Sequence, residues 1–300
     1  MQLPAALVDD LVARALREDL GPRGEDLTTA IAVQRPRRAR ARIVAKASGV
    51  IAGLPFALAA FRATDPGVAL APRVTDGDRV ARGDVVLSID GDAGGVLRAE
   101  RTALNFLQRA SGIATLTRAF VDAVAGTGAA ILDTRKTTPT LRAAEKYAVR
   151  MGGGTNHRFG LFDQVLLKEN HFACALPEPV ESVVSRATTA GPPGVPVVAE
   201  ARDLAEALAA VRGGAGVVML DNFELGPRLR EAIAAVRAEA ERCGRRVGIE
   251  VSGGITLDNV AAYAACGVDR ISIGALTHSA KVLDLSLLVD VGAAAPEAVR

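Results

Sequence analysis

Apolar positions along this chain recur first at helical spacing, then in alternation, then helically again, and finally as short continuous runs between amphipathic stretches. Over residues 7–20, Leu7, Leu11, Ala15 and Leu16 mark one helical face, and Gly21-Pro22 closes that helix. Asp26-Leu27-Thr28-Thr29 follows as a polar turn or cap. From Arg40 to Gly95 the pattern is strand-like: ARIVAKASGVIAG, a short helix near Phe56–Arg62, then DGDRV and RGDVVLSIDG around glycine turns. Between Leu97 and Ala125 the helical period returns, with Leu104, Leu107 and Ala110 on one face and Arg101, Asn105 and Gln108 on the other.

After Gly126 the apolar runs are AAILD (129–133), QVLL (164–167), VPVVA (195–199), GVVML (216–220), RVGIEV (246–251) and RISI (270–273). The stretches TLRAAEKYAVR, VESVVSRATT, LAEALAAVR, LREAIAAVRAEAER and LDNVAAYAAC separate most of them and read as helices. Buried runs alternating with amphipathic helices predict parallel β/α architecture. A closed or nearly closed barrel fits better than a doubly wound sheet, because no GxGxxG follows the first strand.

Composition narrows the class. Hydrophobic residues make up 49% of the chain, enough for a large core, but there is no Trp and only two Tyr, too few aromatics for a single-strand nucleic-acid platform. The three cysteines, Cys174, Cys243 and Cys266, are odd in number and lack a CxxC, which fits reduced thiols. The N-terminus carries acids and arginines inside its apolar pattern and does not read as a signal peptide. No run approaches the roughly 20 apolar residues of a membrane span. These features predict a soluble, cytoplasmic protein with no membrane or nucleic-acid partner.

Charge is near balance at +2, yet the segment from Asp133 to His171 holds seven Lys or Arg, four acids and two of the three histidines. Such local basicity beside strand ends points to a pocket for a small, multiply charged anion. Each run ends in residues able to do chemistry: Thr134-Arg135-Lys136, Lys168-Glu169-Asn170, Glu200, Asp221-Asn222, Ser252-Gly253-Gly254 and Gly274-Ala275. In a β/α barrel these positions meet at one rim. The SGG and IGA turns follow the last two strands, where backbone N–H groups reach phosphate, with His278 and Ser279 beside them. Glu200 and Asp221 supply hard oxygens suited to Mg²⁺, which needs few protein carboxylates when phosphates share it. Arg135, Lys136, His157, Arg158 and Lys168 form a cationic group for a diacid, each charge-assisted contact contributing about 1.5–3 kcal/mol. Arg142, Lys146 and Arg150 recur at helical spacing and read as a solvated face.

Six stretches resemble the quinolinate phosphoribosyltransferase family, the carboxylating nicotinate-nucleotide pyrophosphorylases among type II phosphoribosyltransferases. They are EDLG…DLTT (18–29), AERTALNFLQRASGIAT (99–115), the whole of 133–171, VMLDNF (218–223), EVSGGI (250–255) and IGALTHS (273–279). The order DTRKT, GGGxNHR, KENH is the specific part. The resemblance implies an α/β fold with an N-terminal α/β sandwich domain (1–112, joined by a C-terminal tail, 286–300) and an incomplete parallel β/α barrel (113–285). It implies a homodimer with a shared active site, in which Arg101 reaches across to the substrate of the neighbouring chain.

By the same resemblance, Thr134, Arg135, His157, Arg158 and Lys168 would hold quinolinate, and Lys136 would lie between it and the diphosphate. Glu200 and Asp221 would take the ribose hydroxyls and Mg²⁺ of phosphoribosyl pyrophosphate, with Ser252, Gly253, Gly254, Ile273, Gly274, Ala275 and His278 at its phosphates. The implied reaction joins the two substrates into nicotinate mononucleotide, pyrophosphate and CO₂, a step of NAD biosynthesis, with Lys136, Glu200 and Asp221 catalytic. One departure is visible. Family members often carry acids in an E-V-E-V pattern, whereas Val198 stands here two residues before Glu200. A nicotinate phosphoribosyltransferase, or a molybdenum-transport-associated relative, is the alternative in the same superfamily. A biotinyl or lipoyl carrier hairpin over DGDRVARGDVVLSIDG lacks a lysine at its turn.

Overall fold

A computed structural model describes residues 3–33 and 35–290. In chain order the elements begin with α1 (Ala5–Leu20), α2 (Leu27–Ala32), β1 (Arg38–Ala45), β2 (Gly49–Val50), α3 (Leu54–Thr64), β3 (Ala69–Pro72), β4 (Arg79–Val80), β5 (Val85–Asp92) and α4 (Ala93–Ala123). They continue with β6 (Ala130–Leu132), α5 (Arg142–Met151), β7 (Val165–Leu167), α6 (Glu169–Cys174), α7 (Val180–Ala190), β8 (Val197–Ala201) and α8 (Leu204–Gly213). The last are β9 (Val217–Asp221), α9 (Pro227–Arg242), β10 (Gly248–Ser252), α10 (Val260–Ala264), β11 (Arg270–Ser272), α11 (Ala275–His278) and β12 (Leu285–Asp290). Two compact units result, one from the residues up to 116, 143–153 and from 280, the other from 117–142 and 154–279.

The first unit is built on a four-stranded antiparallel sheet in the order β12-β1-β5-β3. Its central strand, RARARIVA, alternates exposed arginines with buried Ala39, Ala41 and Ile43, the period-two signature of a sheet solvated on one face. Helix α3 buries Phe56 and Phe61, and Phe56 stacks on Phe106 of α4 with ring centroids 4.9 Å apart. Strand β12 pairs with β1 from Arg40↔Asp290 to Ala45↔Leu285, and the Gln108 amide donates to the Leu285 carbonyl at 2.7 Å. Gly112 admits this tail: a Cβ there would stand 2.0 Å from the Lys281 carbonyl oxygen. The remainder of the expected tail, 291–300, lies outside the described residues.

Asp26, expected as a turn or cap, is the N-cap of α2 and accepts from Thr29 N at 2.9 Å. One expectation fails in α5. Lys146 is only 3% exposed and so belongs to no solvated face, and Arg142 is half-buried, donating to Thr137 Oγ1 and the Phe159 carbonyl. Helical spacing tells which residues share a face. It does not tell how wide the buried arc is, and here Ala144, Glu145, Lys146, Ala148 and Val149 are all inside it. Arg109 pairs with the buried Glu145 at 2.9 Å.

The second unit holds six parallel strands in the order β6-β11-β10-β9-β8-β7. The first strand in sequence therefore lies next to the last, and the sheet curls into a barrel left open between β6 and β7. Thr155 fills part of that opening through a bridge to Leu132. All six strands predicted after Gly126 are present, each within a few residues of its expected limits. The buried runs explain them: Val197, Val198, Ala199, Val218, Leu220, Ile249, Val251 and Ile271 are all buried. Among the described residues, no helix is long and apolar enough to cross a membrane.

Candidate active site

At the C-terminal ends of the six strands a mouth of about 660 Å³ opens. Thr134, Arg135, Lys136, His157, Arg158, Lys168, Glu200, Asp221, Ser252, Gly253, Gly254, Ile273, Gly274, Ala275 and His278 all line it. Arg101 is not among them: it is exposed on α4 in the first unit. Strand register arranges the interior in rows. Glu200, Met219, Glu250 and Arg270 are register partners across β8, β9, β10 and β11, and Asp221, Ser252 and Ser272 form the row above. Glu200 therefore sits inside its strand and only 5% exposed, rather than beyond its end as the apolar run suggested.

The cationic wall starts at the end of β6. Asp133, fully buried, accepts from Asn156 Nδ2 at 2.6 Å and from His157 N at 2.8 Å, which ties the GGGTNHR segment to the strand end. Lys136 N donates to Thr134 Oγ1, and the Lys136 carbonyl accepts from Thr277 Oγ1 at 2.7 Å. The Nε of Arg135 is buried with no hydrogen-bond acceptor among the described residues. Beside it, burial and the Arg135 charge lower the Arg158 guanidinium below its ordinary value. Two partly buried guanidinium groups that repel each other in a mouth suit an anion.

Opposite them, Lys168 Nζ lies 2.8 Å from Glu200 Oε2. Lys168 is fixed from behind by His171, whose Nδ1 accepts from Lys168 N at 2.9 Å in a reciprocal cap of α6. Burial and the charge of Glu200 together raise the Asp221 carboxyl above its ordinary range, with Lys168 and Lys136 opposing. Glu200 and Asp221 thus repel each other across the mouth, an arrangement that a hard divalent cation relieves. Among the described residues no group of three or more His, Cys, Asp or Glu gathers as a complete cage, so such an ion depends on oxygens of a ligand for the rest of its shell.

The glycine turns form the third wall. Asn222 takes a positive φ of 56°, donates its backbone N–H to the Ser252 carbonyl at 2.8 Å, and donates from Nδ2 to Asp221 Oδ2 at 2.7 Å. Gly253 (φ +96°) is obligatory, since a Cβ would stand 2.1 Å from Asn222 Oδ1. At the neighbouring turn, a Cβ on Gly274 would meet Lys136 Cδ at 2.9 Å and His278 Nε2 at 3.0 Å. The Lys136 and His278 side chains therefore pack directly over this backbone. Together the turns present main-chain N–H groups, Lys136 and His278 to one part of the mouth, as a phosphate site requires.

Three supporting residues were not picked out from the sequence. Asp133 and His171 stand inside the DTRKT and KENH motifs, and Glu250 lies inside an apolar run. A carboxylate in the middle of a buried strand was the available signal for Glu250. Val198 packs with Leu166 and Met219 in an apolar cluster.

Comparison with known proteins bears on the family and the fold. The family described as "Quinolinate phosphoribosyl transferase, N-terminal domain" matches residues 26–111, and its C-terminal domain matches residues 113–288. The chain is 43% identical over 282 residues to the carboxylating nicotinate-nucleotide pyrophosphorylase of Mycobacterium leprae, covering 93% of this chain and 95% of that protein. It is 40% identical over 247 residues to the corresponding probable enzyme of Bacillus subtilis, covering 82% of each. The crystal structure of NadC from Streptococcus pyogenes superposes with a TM-score of 0.88 at 38% identity, covering 97% of this chain and 99% of that one.

Proposed function

The chain belongs to the quinolinate phosphoribosyl transferase family, and we propose that the barrel mouth is where its two substrates react. The activity is that of a carboxylating nicotinate-nucleotide pyrophosphorylase in NAD biosynthesis: quinolinate and phosphoribosyl pyrophosphate become nicotinate mononucleotide, pyrophosphate and CO₂. The observation that carries the placement is the buried, acceptorless Nε–H of Arg135 beside the desolvated Arg158. A planar dicarboxylate satisfies both guanidinium groups and removes their mutual repulsion.

In this reading Arg135, Arg158, Lys168 and Thr134 bind the quinolinate carboxylates, with His157 alongside. Ser252, Gly253, Gly254, Ile273, Gly274, Ala275 and His278 surround the phosphates of the second substrate. Lys136 stands between the two and meets the charge that grows on the leaving diphosphate as the C1–O bond breaks. Glu200 and Asp221 face the ribose, where their negative charge stabilises an oxocarbenium-like C1. The pyridine nitrogen then forms the new C1–N bond from the other face. Its positive charge draws the electron pair of the C2–carboxylate bond onto C2 as CO₂ departs, and C2 takes a proton from water. Positioning and fixed charges supply the catalysis, and no covalent nucleophile is needed.

Glu200 and Asp221 fit Mg²⁺ as hard, mutually repelling oxygen ligands, and the ion would add positive charge at the diphosphate. We also propose that the enzyme works as a homodimer, with Arg101 entering the partner's mouth. The division into domains 1–112 with 286–300, and 113–285, is likewise our proposal. The test is release of CO₂ from carboxyl-labelled quinolinate. Release is expected only with phosphoribosyl pyrophosphate and Mg²⁺ both present, and chelation should lower it at least a hundredfold. Undiminished release after chelation would remove the metal from the account. Turnover of nicotinate in place of quinolinate would favour the mono-acid alternative.

A further inference from the structure

Beneath the mouth lies an ion cluster for which the proposed chemistry has no use. Glu250 has no solvent exposure and stands in the interior row directly under Ser252 and Ser272. Its Oε1 accepts from the Ser272 hydroxyl and faces His157 Nε2 at 3.4 Å, while its Oε2 lies 2.9 Å from Arg270 Nε. His157 is itself buried, and its Nδ1 accepts the Arg158 backbone N–H at 2.7 Å.

These contacts settle the imidazole. A ring whose Nδ1 accepts a hydrogen bond carries its proton on Nε2, the nitrogen that faces Glu250 Oε1 at 3.4 Å. Both ring nitrogens are therefore turned to the protein rather than to a ligand. What it offers is a rigid link, since the next residue along the chain is Arg158. We propose that Glu250 is a positioning residue for the quinolinate subsite: its buried carboxylate fixes the His157 ring, and that ring fixes Arg158 for the diacid. This rests on the quinolinate reading above and adds to it a residue three steps removed from the substrate.

Burial works to raise the Glu250 carboxyl, but the hydrogen bond from His157, the Arg270 charge and the Ser272 hydroxyl outweigh it and hold it below its ordinary value. These neighbours thus favour the charged carboxylate, the form that accepts best from Nε2. The simpler role, neutralising Arg270, predicts that removing both charges together restores function.

The test separates the two. In Glu250→Leu/Arg270→Leu the ion pair is gone but His157 has lost its acceptor. KM for quinolinate should rise about tenfold or more, with KM for phosphoribosyl pyrophosphate within about twofold of wild type. In Glu250→Gln/Arg270→Leu the amide oxygen can accept from Nε2, and most of the quinolinate affinity should return. Selective ¹⁵N-histidine spectra of the wild type, with only three histidines to assign, should show His157 protonated on Nε2 alone. An unchanged quinolinate KM in the Leu/Leu variant, equal rises in both KM values, or a proton on Nδ1 would overturn the proposal. Should the Leu/Leu variant not fold, the wild-type spectrum and the Gln/Leu kinetics still decide. A wild-type protein that turns over no quinolinate would instead remove the reading underneath, a different and recognisable failure.

Discussion

Lys136→Ala is expected to lower turnover by about a thousandfold while shifting the melting temperature by no more than a few degrees. The split follows from where the lysine is held. Its main chain is anchored through Thr134 Oγ1 and Thr277 Oγ1, neither of which involves the side chain. The side chain is exposed and passes over Gly274 toward the mouth, so its loss leaves little hydrophobic burial behind. In the proposed reading its charge, in contrast, meets the leaving diphosphate, and a preorganised charge acts on the transition state more than on the ground state. Steady-state kinetics and a thermal melt on the same preparation check both halves. A loss below about tenfold, or a collapse in stability, would make Lys136 a structural lysine.

The second large effect concerns assembly. Arg101→Ala alone should be nearly inactive, yet mixing it with Lys136→Ala under conditions of subunit exchange should restore about a quarter of wild-type activity per chain. Random exchange makes half of the dimers hybrid, and in each hybrid one mouth combines an intact Lys136 with an intact Arg101 from the partner. The motive is the position of Arg101. It lies on the exposed side of α4 with Asn105, in the unit that does not contain the mouth. Among the described residues, no hydrogen bond or ion pair holds its side chain. Activity of the mixture no greater than the sum of the two variants would end the shared-site proposal.

Much of this site could be read before any coordinates, and the reason is geometric. Parallel strands in sequential order send their C-terminal ends to one rim, so Arg135, Lys168, Asp221 and Ser252, though far apart in the chain, meet because each follows an apolar run. Glu200 is harder to place, because VPVVA ends at Ala199, two residues before the strand does at Ala201. Strand register, which sequence does not state, puts Glu200 in the row of Met219 rather than that of Asp221. The same blindness hid the partnership of Glu250 with Arg270 and His157, since it depends on pairing across β10 and β11. Lys146 shows a different limit: a helical spacing of charges fixes a common face and leaves its exposure to whatever packs there. Helix α2, six residues long, is too short to show a period, and only its cap residue Asp26 announced it.

A crystal structure of the protein with quinolinate and a carbocyclic, unreactive analogue of phosphoribosyl pyrophosphate tests the central claim most directly. It should place the two carboxylates against Arg135, Arg158 and Lys168, and the phosphates against the Ser252–Gly254 and Gly274–Ala275 turns, within the same mouth. Either ligand bound outside that mouth, or carboxylates and phosphates exchanged between the two walls, would contradict it.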